Sequence, residues 1–199
     1  MKARRSSPSA GRAPSSRSGV AHVALLRGVN VGGKNKLAMS DLVALFAAAG
    51  AADVRTYIQS GNVVFRAAPG GVVRLAKAVT AAIEREHGLR VPLVVRTAAE
   101  LERVAGANPF LRGKARADED SLHVVFLADE PGAAARAALD PGRSPPDEFV
   151  ALGREIYLRL PNGAARTKLT NAWFDSTLAT TSTMRNWRTV LKLVELARA

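Results

Sequence analysis

The sequence predicts an α+β fold of two subdomains with antiparallel sheets, each related to the ferredoxin-like βαββαβ arrangement, with additional helices at the C-terminus. Three observations predict it. Short apolar runs recur from Val20 to Leu160, helical spacing of apolar residues appears between several of them, and Gly- or Asn-containing turns join neighbouring runs closely enough for hairpins.

Residues 1–19 come first and stand apart. They are rich in Ser, Pro, Arg and Ala, carry Lys2, Arg4, Arg5, Arg12 and Arg17 without an acid, and lack a periodic apolar face, so a disordered basic extension is expected. They contain neither the apolar middle of a secretory signal nor the amphipathic stripe of an organelle transit peptide. The first subdomain is expected over 20–96. Val20 to Leu26 is a continuous apolar run suited to a central strand. Ser40 and Asp41 signal a helix start, Leu42, Leu45, Phe46 and Ala49 share one helical face, and Gly50 ends it. Strands at 54–59 and 63–66 flank Ser60-Gly61-Asn62, a hairpin signal. Val72, Ala76, Val79 and Ile83 then mark a second helix closed by Gly88, and 89–96 supplies the last strand.

The second subdomain is expected over 97–199. Thr97 and Glu100 form a capping-box pattern that opens a short helix carrying Leu101 and Val104. Asn108-Pro109-Phe110 breaks it, and an exposed loop follows through Asp120. Residues 122–128 form a strand, 133–139 an alanine-rich helix and 141–146 a linker, before a hairpin of 149–152 and 155–160 across Gly153-Arg154. Beyond Pro161-Asn162-Gly163 the chain turns basic and helical. Trp173 and Phe174 sit in one helix, and Thr180 to Thr183 offer caps for a last helix toward Ala197. In that helix Met184, Trp187, Leu191 and Val194 recur at packing intervals beside a stripe of Arg185, Arg188 and Lys192. Trp173 and Trp187 read as core anchors. The two halves show no clear sequence repeat, and the sequence leaves open whether they share one sheet.

Composition narrows the functional classes. The 199 residues are 47% hydrophobic, enough for a buried core, and the absence of cysteine excludes disulfides and thiolate chemistry. His22, His87 and His123 are isolated, so no metal and no cofactor is predicted. No apolar run approaches the roughly 20 residues of a membrane span. A net charge of +12 favours polyanionic partners, either phosphorylated small molecules or nucleic acid.

The stretch that carries most chemistry is the connector after the first strand. Gly28, Gly33 and Lys34 fit seven positions of the phosphate-cradling pattern G-x-x-x-x-G-K-[ST], but Asn35 breaks the eighth, where a magnesium-binding hydroxyl belongs. The run His123 to Asp129 resembles a strand ending in a metal-holding aspartate, yet the surrounding hairpins do not suit a nucleotide-hydrolysing fold. Two readings stay open. Either the loop binds a phosphate or carboxylate without hydrolysing it, or Gly28, Gly32 and Gly33 only permit positive φ while Lys34 and Lys36 are solvated.

Three segments carry a resemblance: Ala24 to Lys36 (ALLRGVNVGGKNK), Val54 to Phe65 (VRTYIQSGNVVF) and Thr183 to Leu193 (TMRNWRTVLKL). They are similar to the bacterial domain-of-unknown-function family 1697 (DUF1697). The resemblance implies a cytoplasmic bacterial α+β protein with no assigned activity.

The same segments define a candidate ligand site. Arg27, Gly28, Asn30, Gly32, Gly33, Lys34 and Asn35 belong to the strand-exit loop; Tyr57, Gln59, Ser60 and Asn62 to the hairpin; Arg185, Asn186 and Arg188 to the last helix. Their donors are expected to converge on one anion, against the reading that Asn62 and Gln59 serve turn geometry alone. Three functions follow: an anionic-ligand binder at loop 27–36, a nucleic-acid-backbone module, or a structural or protein-partner domain. No catalytic constellation stands out, and oligomeric state is not encoded legibly.

Overall fold

The computed structural model describes residues 19–112 and 117–199. The expected extension over 1–19 falls almost wholly outside these, as does the middle of the loop expected before Asp120. In chain order the elements are β1 (Val20–Leu26), α1 (Met39–Ala48), β2 (Ala52–Tyr57), β3 (Asn62–Ala67), α2 (Val72–His87), β4 (Leu93–Thr97) and α3 (Ala98–Ala107). They continue as β5 (Leu122–Leu127), α4 (Ala133–Ala137), β6 (Glu148–Leu152), β7 (Glu155–Arg159), α5 (Asn171–Leu178), β8 (Ser182–Asn186) and α6 (Trp187–Arg198). Two four-stranded sheets form, ordered β2-β3-β1-β4 and β6-β7-β5-β8, with every pairing antiparallel. The α+β prediction holds, and the two halves do not share a sheet.

The local code is visible in several elements. α2 ends where Gly88 takes φ 68°, and α3 starts at the predicted capping box, with Thr97 Oγ1 accepting from Glu100 N at 3.1 Å and Glu100 Oε2 accepting from Thr97 N at 2.8 Å. Ser40 does not cap α1; the helix begins one residue earlier, with Ala38 at the N-cap. The main correction is β8. Residues 182–186 form a strand paired with β5, and the last helix begins only at Trp187, capped by Asn186 Oδ1 on Thr189 N at 2.8 Å. Arg185 therefore does not share a helix face with Arg188 and Lys192, whose charges pair instead with Asp120 and Glu195.

Packing divides the interior into three. α1 and α2 cover the outer face of the first sheet through residues such as Phe46, Val79 and Ile83 against Phe65 and Leu26. α5 covers the outer face of the second through Phe174 and Leu178. Between the sheets lie α3 and α6, so that Val23 and Leu25, Val124 and Phe126, Leu101 and Trp187 join one central core. Trp187 is 1% exposed there, and burial of a side chain that size stabilises by about 2–3 kcal/mol. Among the described residues no helix is long and apolar enough to cross a membrane.

The halves repeat each other in three dimensions. Val23 pairs with Arg96 as Val124 pairs with Arg185, and Leu25 pairs with Asn62 as Phe126 pairs with Glu155. Leu26 N donates to Gly61 O at 2.8 Å, and Leu127 N to Arg154 O at 2.9 Å. The unit βαββαβα thus occurs twice, with Arg96-Thr97 and Arg185-Asn186 in matching places before the helices α3 and α6.

Candidate functional site

The connector Arg27 to Ala38 leaves β1 and is braced from within. Asn30, at φ 55°, donates from Nδ2 to Leu37 O (2.8 Å) and Gln59 O (3.0 Å) and accepts at Oδ1 from Leu37 N (2.9 Å). Asn35, at φ 50°, donates from Nδ2 to Gly28 O at 3.0 Å. Buried Val29 pins the loop to the core. On the outside, Gly32 and Gly33 have positive φ and open space beyond them, while Lys34 and Lys36 are exposed and form no ion pair among the described residues. Asn30 and Asn35 therefore shape the loop; their side-chain amides are already committed.

Arg185 crosses from β8 into the first half. Its Nε donates to Asn62 Oδ1 (2.6 Å), Nη1 to Thr183 Oγ1 and Met184 O (both 2.8 Å), and Nη2 to Leu26 O (2.6 Å), Ser60 O (3.3 Å) and Gly61 O (3.4 Å). Asn62, 0% exposed, turns its Nδ2 to Tyr57 O and Ser60 Oγ. Desolvation pulls the Arg185 pKa down to about 10, so the group stays cationic at neutral pH. No carboxylate touches it among the described residues. Arg27 lies beside this clasp, its Nη1 donating to Asp175 Oδ2 (2.6 Å) and Ser182 O (2.9 Å), with Nε and Nη2 unclaimed among the described residues.

Arg96 makes the matching clasp from β4. Its Nη2 donates to Leu127 O (2.7 Å) and Arg154 O (3.2 Å), but its Nε meets the carboxylate of Glu155 at 2.8 Å. Burial lowers its pKa and Glu155 opposes that shift. Glu100 and Arg154 form a further ion pair alongside.

The Arg185 clasp floors a cavity of about 370 Å³ between the halves, lined by Arg27, Gly28, Ser60, Arg185 and Asn186 from the predicted set. Val31, Ile58, Asn171, Thr183, Met184 and Thr189 also line it. A second cleft of about 530 Å³ takes Asn30, Gly33, Lys36 and Gln59. The predicted residues thus divide rather than converge on one point. Gly32, Lys34, Asn35 and Asn62 line neither cavity, Tyr57 packs against the central core, and Arg188 is held by Asp120 at 2.7 Å on the surface. Asp175, which holds Arg27, carries no local signal in the sequence, and Thr183 and Thr189, though within the third resembling segment, are not among the predicted ligand residues; folding of the second half brings them here.

A family model described as a protein of unknown function, DUF1697, matches residues 20–157, which include the first two of the three resembling segments. No curated protein matches the chain in sequence. Among solved structures, a conserved bacterial protein from Streptococcus pneumoniae is similar with a TM-score of 0.65 and 19% identity, over 89% of this chain and 98% of that one. That likeness concerns the fold alone.

Proposed function

The chain belongs to the DUF1697 family of proteins of unknown function, and on that premise we propose that its two halves hold a small anionic ligand, bearing a phosphate or carboxylate group, in the cleft at the exit of β1. The observation that supports this reading is the desolvated Arg185 with no carboxylate partner among the described residues, set beside Arg27, whose Nε and Nη2 are unclaimed among the same residues. An opposite charge gains most where water is thinned; at Arg185 no carboxylate of the described residues competes for it, whereas Arg27 shares only its Nη1 with Asp175. Ser60, Thr183 and Thr189 line the same cavity, and Lys34 and Lys36 on the flanking loop raise the surrounding potential. The reading is one of binding; no chemical step is assigned.

Calorimetric titration of the full chain with inorganic phosphate and pyrophosphate tests it. Arg27→Met is expected to weaken binding about tenfold, or about 1.4 kcal/mol. Asp175 keeps its donors Ser182 N and Oγ (2.7 and 2.6 Å), so the fold should survive the change. Equal affinity in the variant, or no heat from either anion, removes the cleft as the site. The net charge of +12 favours a second reading, association with nucleic-acid backbone. In that case affinity for a duplex falls linearly on log–log axes with salt, whereas one bound phosphate gives a shallow slope.

A further inference from the structure

We propose that the ligand of this cleft is amphiphilic, an anion attached to an apolar body of ring size that lies on a lip formed by Val31 and Ile58. This rests on the anion-cleft reading above. Val31 is 60% exposed and Ile58 51% exposed, both large apolar side chains left open to water, and both line the cavity that Arg27 and Arg185 make cationic. The cavity, at about 370 Å³, has the size of a small-molecule site and exceeds what a bare phosphate fills.

Ile58 carries a second, independent sign. Its φ is 48°, a left-handed conformation in which a β-branched residue is a genuine outlier. Such strain persists where something else requires it, and half-exposed Ile58 recovers little of it through burial. In the second half the equivalent hairpin, with Leu152 paired to Glu155, closes over Gly153 and Arg154 alone; in the first, Tyr57 pairs with Asn62 and leaves Ile58 to Gly61 between them. The extra residues bring Ile58 to the cavity mouth. The connector after β1, running from Arg27 to Ala38, likewise exceeds its counterpart from Ala128 to Gly132, and its extra length carries Val31 to the same mouth. Both departures from the shared frame deliver an uncovered apolar side chain to one charged cavity.

Methylphosphonate and phenylphosphonate carry the same anionic group and resist hydrolysis, so their affinities for the full chain separate head from body. Phenylphosphonate is expected to bind about tenfold tighter, as the ring leaves water against the lip. Ile58→Gly suits φ 48° without strain, so its thermal midpoint should equal or exceed that of the parent while the preference for phenylphosphonate falls to about threefold or less. Binding of both phosphonates with equal affinity overturns the amphiphilic ligand and leaves the anion cleft standing. A phenyl preference untouched by Ile58→Gly also overturns it. No binding of either compound overturns the cleft and the inference together.

Discussion

Arg96 and Arg185 stand at matching places in the two halves, each one residue before a helix N-cap and each reaching a strand-end carbonyl of the other half, Leu127 O or Leu26 O. Their surroundings differ in charge. Where Arg96 meets Glu155, Arg185 meets Asn62; where α3 has Glu100 at its third position, α6 has Thr189. The two carboxylates around the Arg96 clasp are thus replaced by two neutral groups around the Arg185 clasp. The comparison teaches that one frame supplies both clasps, and that side-chain exchange at a few equivalent positions makes one clasp electrically closed while the other keeps a cation available at a cavity.

The sharpest way to break this comparison is to remove each arginine. Arg96→Met strands Glu155, only 17% exposed, together with the carbonyls of Leu127 and Arg154, and a buried charge left alone costs about 3–5 kcal/mol. Arg185→Met strands neutral acceptors, at about 1–3 kcal/mol. Urea unfolding of both variants measures the difference. Equal losses would mean that the carboxylate does not distinguish the clasps.

Smaller in effect, and aimed at the ligand, is Asn62→Asp. It places a carboxylate where Asn62 Oδ1 now sits, 2.6 Å from Arg185 Nε, and so gives the first half the charge pattern of the second. Affinity for methylphosphonate is expected to fall about tenfold, or about 1.4 kcal/mol. Calorimetry reads it directly, and an unchanged affinity would detach anion binding from the open clasp.

How much of this was legible in the sequence differs by region. The order of the first half could be read because Val20–Leu26 is uninterrupted, Gly61 marks the hairpin and Gly88 the helix end. β8 could not. Ser182 and Thr183 are cap-forming residues, and only pairing with β5 decides that they extend rather than cap; Asn186 both ends the strand and caps α6. The connector after β1 could be singled out from its glycines and cations, but the side-chain roles within it could not. Asn30 and Asn35 tolerate left-handed backbone and so act as braces, and Arg185 spends its donors on carbonyls as far as 159 residues away in the chain. The internal repeat was hidden for a related reason: it is conserved in strand register and backbone bonding, whereas the facing side chains, Asn62 against Glu155, have been exchanged.

The weakest expected effect tests the closed clasp through pH. Desolvation raises the Glu100 pKa, but hydrogen bonds from Thr97 and the charges of Arg154 and Arg96 outweigh it, so the folded value lies below the usual carboxylate value. A depressed carboxylate contributes stability that is present above its unfolded pKa and is lost as pH falls through the folded one. Glu100→Gln keeps the capping geometry, since glutamine also fits that position, and removes the titration. Thermal midpoints of parent and variant should therefore converge as pH is lowered from about 4.5, after a parent advantage of about 0.5–1 kcal/mol at neutral pH. Thr189 is the equivalent residue in α6 and has no charge to lose. Thr189→Ala should accordingly shift the midpoint by the same amount at every pH, and a pH-dependent shift there would show a titrating partner near the open clasp.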